Sequence, residues 1–343
     1  MKNSFKICGF IFSIILSFNG CLKDFSISEV NSEVNNSEKI IAYLEAQGDF
    51  INTIQIPAVD SALDVNDNLY SYEILDIRSS DKFVAGHIKT AKNVTPANLF
   101  ATVKSISSGK IIIIVSQTGQ AASYFTSLLR FAGFNKVYAL KYGMVSWNPD
   151  FRLSWVDGTN GPGFTNRVYE RPSPSPLPAV TFDNSVVTIK EKINSRIKSL
   201  IASSFGDPAP NSLPASTDLL ELSYIYNNTD STYANTFIVC FGLDGLYFLG
   251  PNGQLDNPGH PPQAVFYRQS NGYVSDLRST TYLQTIPSSK DIVVYSKYGH
   301  SSAFVVAYLR LLGYNAKSLL FGANWRENLP QYGMQDYPYV TGN

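Results

Sequence analysis

The chain has 343 residues, longer than one ordinary domain, so two domains are expected. Hydrophobic residues make up 44% and aromatics 13%, enough for real cores and too much for a globally disordered chain. Charge is balanced, 27 Lys+Arg against 27 Asp+Glu, which excludes the basic footprint of a nucleic-acid binder.

The chain opens with MKNSFK, which supplies two lysines, and continues with the apolar run ICGFIFSIILSF over residues 7–18. That run is too short to span a bilayer and has the layout of a secretory signal. A cysteine directly after Gly20 resembles the lipobox of bacterial lipoproteins. The resemblance implies a signal peptide over 1–20, lipidation of Cys21 and attachment to a membrane through that lipid. The alternative is an ordinary signal peptide with a coincidental cysteine. Cys8 falls in the removed segment, so Cys21 and Cys240 remain, and they leave no pair for a disulfide framework. Residues 21–37 are polar and weakly patterned, a tether between anchor and folded domains.

The next strong signal is KIIIIVSQTGQAASYFTSLLRFAGF from Lys110. Ile111 to Val115 read as a buried strand. A polar loop with Gly119 follows, then Phe125, Leu128, Leu129 and Ala132 at helical spacing. A strand, a glycine loop and a helix N-terminus form a cradle of backbone N–H groups suited to an anion.

The same pattern recurs at 291–325, DIVVYSKYGHSSAFVVAYLRLLGYNAKSLLFGANW. Ser116 and Ser296, Gly119 and Gly299, and Gly133 and Gly313 all recur at one offset of 180 residues. Trp147 and Trp325 close the two copies, and Gly86-His87 is echoed by Gly259-His260. Each copy opens with a helix-like segment, SEKIIAYLEAQ in the first and IKEKINSRIKSLIASSF in the second. A Gly-, Pro- and Ser-rich stretch separates them. The expected organisation is therefore a first domain over 38–155, a linker over 156–180 and a second domain over 181–343. Strands alternating with helices predict an α/β fold, two tandem domains each with a parallel sheet flanked by helices.

YEILDIRSSDKFVAGHIKTAKNV, the glycine loop at Gly119, AGF, VYAL and GMVSW together resemble a rhodanese domain, with the motifs in family order over residues 72–147. The second copy matches from residue 291 onward and only weakly before it. Active rhodaneses carry a loop of the form Cys-x-x-Gly-x-Arg, whose cysteine holds a sulfane sulfur as a persulfide. Aligned on the loop glycines, that cysteine is Ser116 in the first copy and Ser296 in the second, and the arginine is Ala121 and Ser301. A thiol at a helix N-terminus becomes thiolate near neutral pH. A serine hydroxyl gains reactivity only from an adjacent base, and it forms no persulfide. The resemblance thus implies the fold without the reaction.

The degenerate loops, Ser116-Gln117-Thr118-Gly119-Gln120-Ala121 and Ser296-Lys297-Tyr298-Gly299-His300-Ser301, remain candidate anion sites. The second is expected to be the stronger, because Lys297 and, at acidic pH, His300 supply positive charge. A serine nucleophile using His300 as base is the sharper alternative. No Gly-x-Ser-x-Gly elbow accompanies it, and a serine bonded to its own loop is favoured. His87 is expected to be structural. Asp76 and Arg78 are expected to pair beneath the sheet edge, while the second copy has Cys240 and Gly242 there, with Cys240 a buried apolar side chain. Residues 243–258 form a Gly- and Pro-rich insertion, read either as a loop of the kind that carries binding or as a packed surface excursion. Three histidines and no cysteine cluster predict neither metal nor cofactor.

The leading expectation is a catalytically inactive tandem rhodanese-like lipoprotein that binds a small oxyanion or an envelope protein. The alternatives are a sulfurtransferase-related enzyme using non-standard chemistry and a purely structural envelope component.

Overall fold

In the computed structural model the described residues are 35–48, 59–107, 109–152, 167–183, 185–203, 205, 216–217, 235–248, 259–269, 274–323 and 334–342. The expected signal segment, Cys21, most of the tether, the glycine-rich part of the linker, residues 249–258 of the insertion and Trp325 lie outside them.

The first half runs α1 (Asn36–Ala46), β1 (Val59–Asp60), α2 (Ala62–Asp67), β2 (Glu73–Asp76), α3 (Ser80–Ala85), β3 (Lys92–Asn93), α4 (Pro96–Ser105), β4 (Ile112–Val115), α5 (Gln120–Phe131), β5 (Val137–Leu140) and α6 (Met144–Trp147). The second half runs α7 (Ile189–Ala202), β6 (Ser216–Thr217), β7 (Thr236–Gly242), α8 (Asp244–Tyr247), β8 (Val265–Arg268), β9 (Asp291–Tyr295), α9 (His300–Leu311) and β10 (Ala316–Leu319).

Two five-stranded sheets result, ordered β1-β5-β4-β2-β3 and β6-β10-β9-β7-β8. Every pairing is parallel, and the two orders are the same when the second half is laid over the first. The α/β architecture expected from the sequence is present, with one sheet for each copy of the repeat. Burial on both faces explains the unbroken apolar run of β4, whose four residues are all buried. Its side chains alternate: Ile112 and Ile114 join the large shared core, while Ile113 and Val115 pack with Leu140, Met144 and Trp147 on the other face.

The large core draws on both sheets, because α5 and α9 pack against one another between them. Ser127 Oγ donates to Phe304 O across this seam (3.2 Å), and the Phe131 and Tyr308 rings meet 6.1 Å apart. That is why α5 is buried on nearly every side.

The ends of the described chain are exchanged between the halves. The expected opening helix of the first copy, α1, bonds to the end of the linker and to the second half. Asn35 Nδ2 donates to Leu177 O and Pro178 O, Asn36 Nδ2 to Val180 O, and Ser37 Oγ to Pro178 O and Leu312 O. Conversely, residues 334–342, counted with the second domain on sequence grounds, lie along the first half. His87 and Val340 form an antiparallel bridge, Tyr337 N donates to Trp147 O, and Trp147 Nε1 donates to Pro338 O (3.0 Å).

From Arg167 onward the linker is packed rather than loose. Arg171 donates to Phe266 O, pairs with Asp276 and lies over the Tyr282 ring.

Candidate binding site at the two strand-helix loops

Each loop leaves its central strand and turns through a glycine in the left-handed region, Gly119 at φ 84° and Gly299 at φ 83°. A Cβ at Gly119 would stand 2.7 Å from His300 Nε2, and one at Gly299 would stand 2.1 Å from Gln120 Nε2. Both backbone angle and space therefore require glycine. The helix of each half also carries a side chain into the loop region of the other.

Ser116 is bonded to its own loop: Oγ accepts from Gly119 N–H (3.1 Å) and Ala122 N–H (3.2 Å). Ser296 repeats this, accepting from Ser302 N–H (3.1 Å) and donating to Ser302 Oγ (3.3 Å). Ser302 Oγ donates on to Gly299 O (2.9 Å) and lies 2.9 Å from Ser318 Oγ. Each serine thus takes up backbone N–H groups that would otherwise face an anion in the cradle.

The two loops differ in access. Ser116, Gln117, Thr118, Gly119, Gln120 and Ala121 are all buried. Above them stands Arg78, its side chain 2% exposed, held by Asp76 at 2.6 Å and donating to Gly86 O. Its Nη1 lies 3.5 Å from Gln117 Oε1 and its guanidinium over the Phe151 ring, and Gln117 Nε2 donates to Phe151 O. The Phe151 ring in turn meets Tyr339 of the C-terminal segment, 5.0 Å between centroids. A cation therefore does stand beside the first loop, contrary to what the loop sequence suggested. Asp76 neutralises it, and the first loop admits an anion only by displacing these groups.

In the second loop Lys297, Tyr298 and Ser301 are half-buried and border a cavity of about 410 Å³. The register explains the opening. Asp76 pairs with Val115 in the first sheet and Cys240 with Tyr295 in the second. Cys240 and Gly242 therefore replace Asp76 and Arg78, as expected. Without an arginine side chain at 242, the space over the loop is left to the cavity.

His300 does not serve as a cation for this cavity. Its ring is buried and Nε2 lies 3.2 Å from both Tyr142 N and Thr118 O in the first half. Burial pushes it down to about 4, more than its bond to Thr118 offsets, and nearby Lys141 lowers it further. The expected acidic-pH contribution of His300 to the second loop is corrected accordingly. Both residues border the cavity, but the His300 ring bonds to Tyr142 N and Thr118 O of the first half while the Ser296 hydroxyl bonds to Ser302, an arrangement that does not pair His300 with Ser296 as its base.

Cys240 is fully buried, and its thiol is pushed up to about 12 by burial, with a hydrogen bond to Tyr295 offsetting part. His87 is structural as expected, Nδ1 2.9 Å from Phe83 O and the ring stacked on Phe83. His260 sits between Tyr247 O and Arg167 O. The sequence did not reveal Gln120 and His300 as cross-half residues, although their equivalent positions after the glycines were visible.

The rhodanese-like domain family matches residues 61–150. An uncharacterised protein, BU052, of Buchnera aphidicola subsp. Acyrthosiphon pisum (strain APS) is 35% identical over 81 residues, 22% of this chain and 56% of that protein, so the match spans about half of the relative's length. A rhodanese-related protein from Thermoplasma volcanium is 21% identical over 26% of this chain and 90% of its own, with a TM-score of 0.25. The rhodanese-like domain of the Anabaena protein Alr3790 is 26% identical over 27% of this chain and 74% of its own, also with a TM-score of 0.25. The family match covers four of the five strands of the first sheet and the glycine-turned loop after its central strand, and it marks residues 61–150 as a rhodanese-like domain.

Proposed function

We propose that the chain is a catalytically inactive tandem rhodanese-like protein acting as a binding module, exported and held to a bacterial cell envelope through a lipid on Cys21. One observation carries the binding reading: the second loop borders a cavity while neither loop has a thiol. Sulfur transfer needs an accessible thiolate. Ser116 and Ser296 cannot supply one, and Cys240 is buried with its thiol held protonated. The shared strand order of the two sheets supports reading the second half as a second domain of the same kind. The envelope location rests on the charged start, the apolar run and the Gly20-Cys21 junction.

The test joins two measurements on the mature protein. Thiosulfate-to-cyanide sulfur transfer is expected to stay at background; a rate above it that survives Cys240→Ser overturns the inactive reading. Sulfate titration is expected to shift the backbone amides of residues 296–302. No shift up to tens of millimolar, where binding is worth only ~2–3 kcal/mol, overturns the loop-binding reading.

A further inference from the structure

We propose that the cavity over the second loop takes a small organic anion with an apolar body, an aromatic or branched aliphatic carboxylate or sulfonate, in preference to an inorganic oxyanion. This rests on the binding reading above and names the ligand class for the same site.

The volume comes first. About 410 Å³ lies in the range of small-molecule sites. It equals the share of roughly fourteen waters at ~30 Å³ each. An inorganic oxyanion would occupy one corner and leave the remainder wet.

The walls come second. Phe241, Leu243 and Leu246 line the cavity, and Leu243 is 48% exposed. Water against such walls is displaced favourably by apolar atoms. Phe241 belongs to the large core and is fully buried, so it only backs the cavity, and the apolar surface offered to a ligand comes from Leu243 and Leu246. β7 ends at Gly242, which projects nothing, and Leu246 of α8 lies so near that a Cβ at 242 would stand 2.5 Å from its Cδ2.

The polar groups come third. Among the described lining residues Lys297 is the one charged side chain, and there is no carboxylate. Asp244 of the neighbouring turn is engaged by Arg268 at 3.1 Å. Lys297 lies 5.3 Å from the Tyr298 ring, and Ser301 and Gln269 add hydrogen-bonding groups, while the Ser296 hydroxyl is already bonded to Ser302. One cationic side chain in a lining that also offers Leu243 and Leu246 matches a ligand with one anionic head and an apolar body. The equivalent space in the first half is taken by Arg78, so the preference belongs to the second half alone.

Calorimetric titration of the mature full-length protein with 4-phenylbutyrate and, separately, with sodium sulfate tests this. Phenylbutyrate is expected to bind at least tenfold more tightly than sulfate. Lys297→Gln should weaken phenylbutyrate about tenfold, equal to ~1.4 kcal/mol. Gly242→Arg should abolish it by restoring the side chain present in the first half. Should Gly242→Arg fail to fold against Leu246, the exposed Leu243→Glu keeps the test, because a carboxylate at the opening should repel the ligand. Sulfate binding without a tenfold preference for phenylbutyrate overturns the ligand class and leaves the loop reading standing. Binding of neither overturns both. Tight phenylbutyrate binding that ignores Lys297→Gln and Leu243→Glu places it elsewhere and overturns the proposal.

Discussion

Gln120 and His300 stand at equivalent positions, one residue past Gly119 and Gly299, and each engages the other half of the molecule. Gln120 Oε1 accepts from Phe321 N–H at 2.7 Å, and His300 Nε2 stands 3.2 Å from Tyr142 N. Gln120 Nε2 also donates to Leu319 O at 3.0 Å. Tyr142 and Phe321 both lie at φ 60°, a backbone conformation uncommon for aromatic residues. The cross-half bonds reward that conformation at both positions, so the turn after each edge-proximal strand is fixed by the opposite helix.

His300 makes this lock sensitive to pH. Its ring is pushed down to about 4 in the folded state, against an ordinary value of 6.5. The unfolded chain therefore takes up the proton first, so the stability given by the neutral ring is whole above about pH 6.5. It declines as pH falls toward 4, to a limit of about 3 kcal/mol. Chemical denaturation of wild type and His300→Gln across that range should show a steeper loss in wild type. Parallel curves would contradict the role of the buried ring.

The Asp76–Arg78 pair is buried on both sides. Arg78→Gly alone leaves a bare carboxylate and is expected to cost roughly 3–5 kcal/mol. Adding Asp76→Cys copies the second half's Cys240 and Gly242, and should recover a large part of that loss. Urea unfolding of both variants checks this, and a double variant no better than the single would refute the argument.

Cys240 should resist iodoacetamide in the native protein, since its thiol is buried and pushed up to about 12. Alkylation should become fast only in denaturant. Mass spectrometry of the modified cysteine, resolved from Cys21, reads this directly; rapid native labelling would show that the second sheet opens.

Cys21→Ala should release the protein to the soluble fraction or leave the signal unprocessed, because stable anchoring needs more than one acyl chain on that cysteine. Unchanged processing and membrane retention would remove the lipoprotein reading.

The α/β class, the repeat and the cradle loops were legible in the sequence because they are local. An unbroken apolar strand, a glycine and a helical stripe are readable within about twenty residues, and so are the serines Ser116 and Ser296 that follow the two strands. The Asp76–Arg78 pair and its replacement by Cys240 and Gly242 were legible for the same reason, two residues apart on one strand.

What tertiary structure decided is everything that joins distant stretches. Arg78 lies far from Gln117 along the chain, yet its guanidinium closes the first loop. Nothing in SKYGHS indicates that His300 turns away from its own serine to Tyr142. The packing of α1 on the end of the linker and the second half, and of residues 334–342 on the first half, satisfies groups such as Pro178 O, Leu312 O and Trp147 Nε1 that lie far away in sequence. Periodicity states that a helix has an apolar face. Only the packed molecule states which surface that face covers, because buried area and hydrogen-bond satisfaction depend on the whole chain.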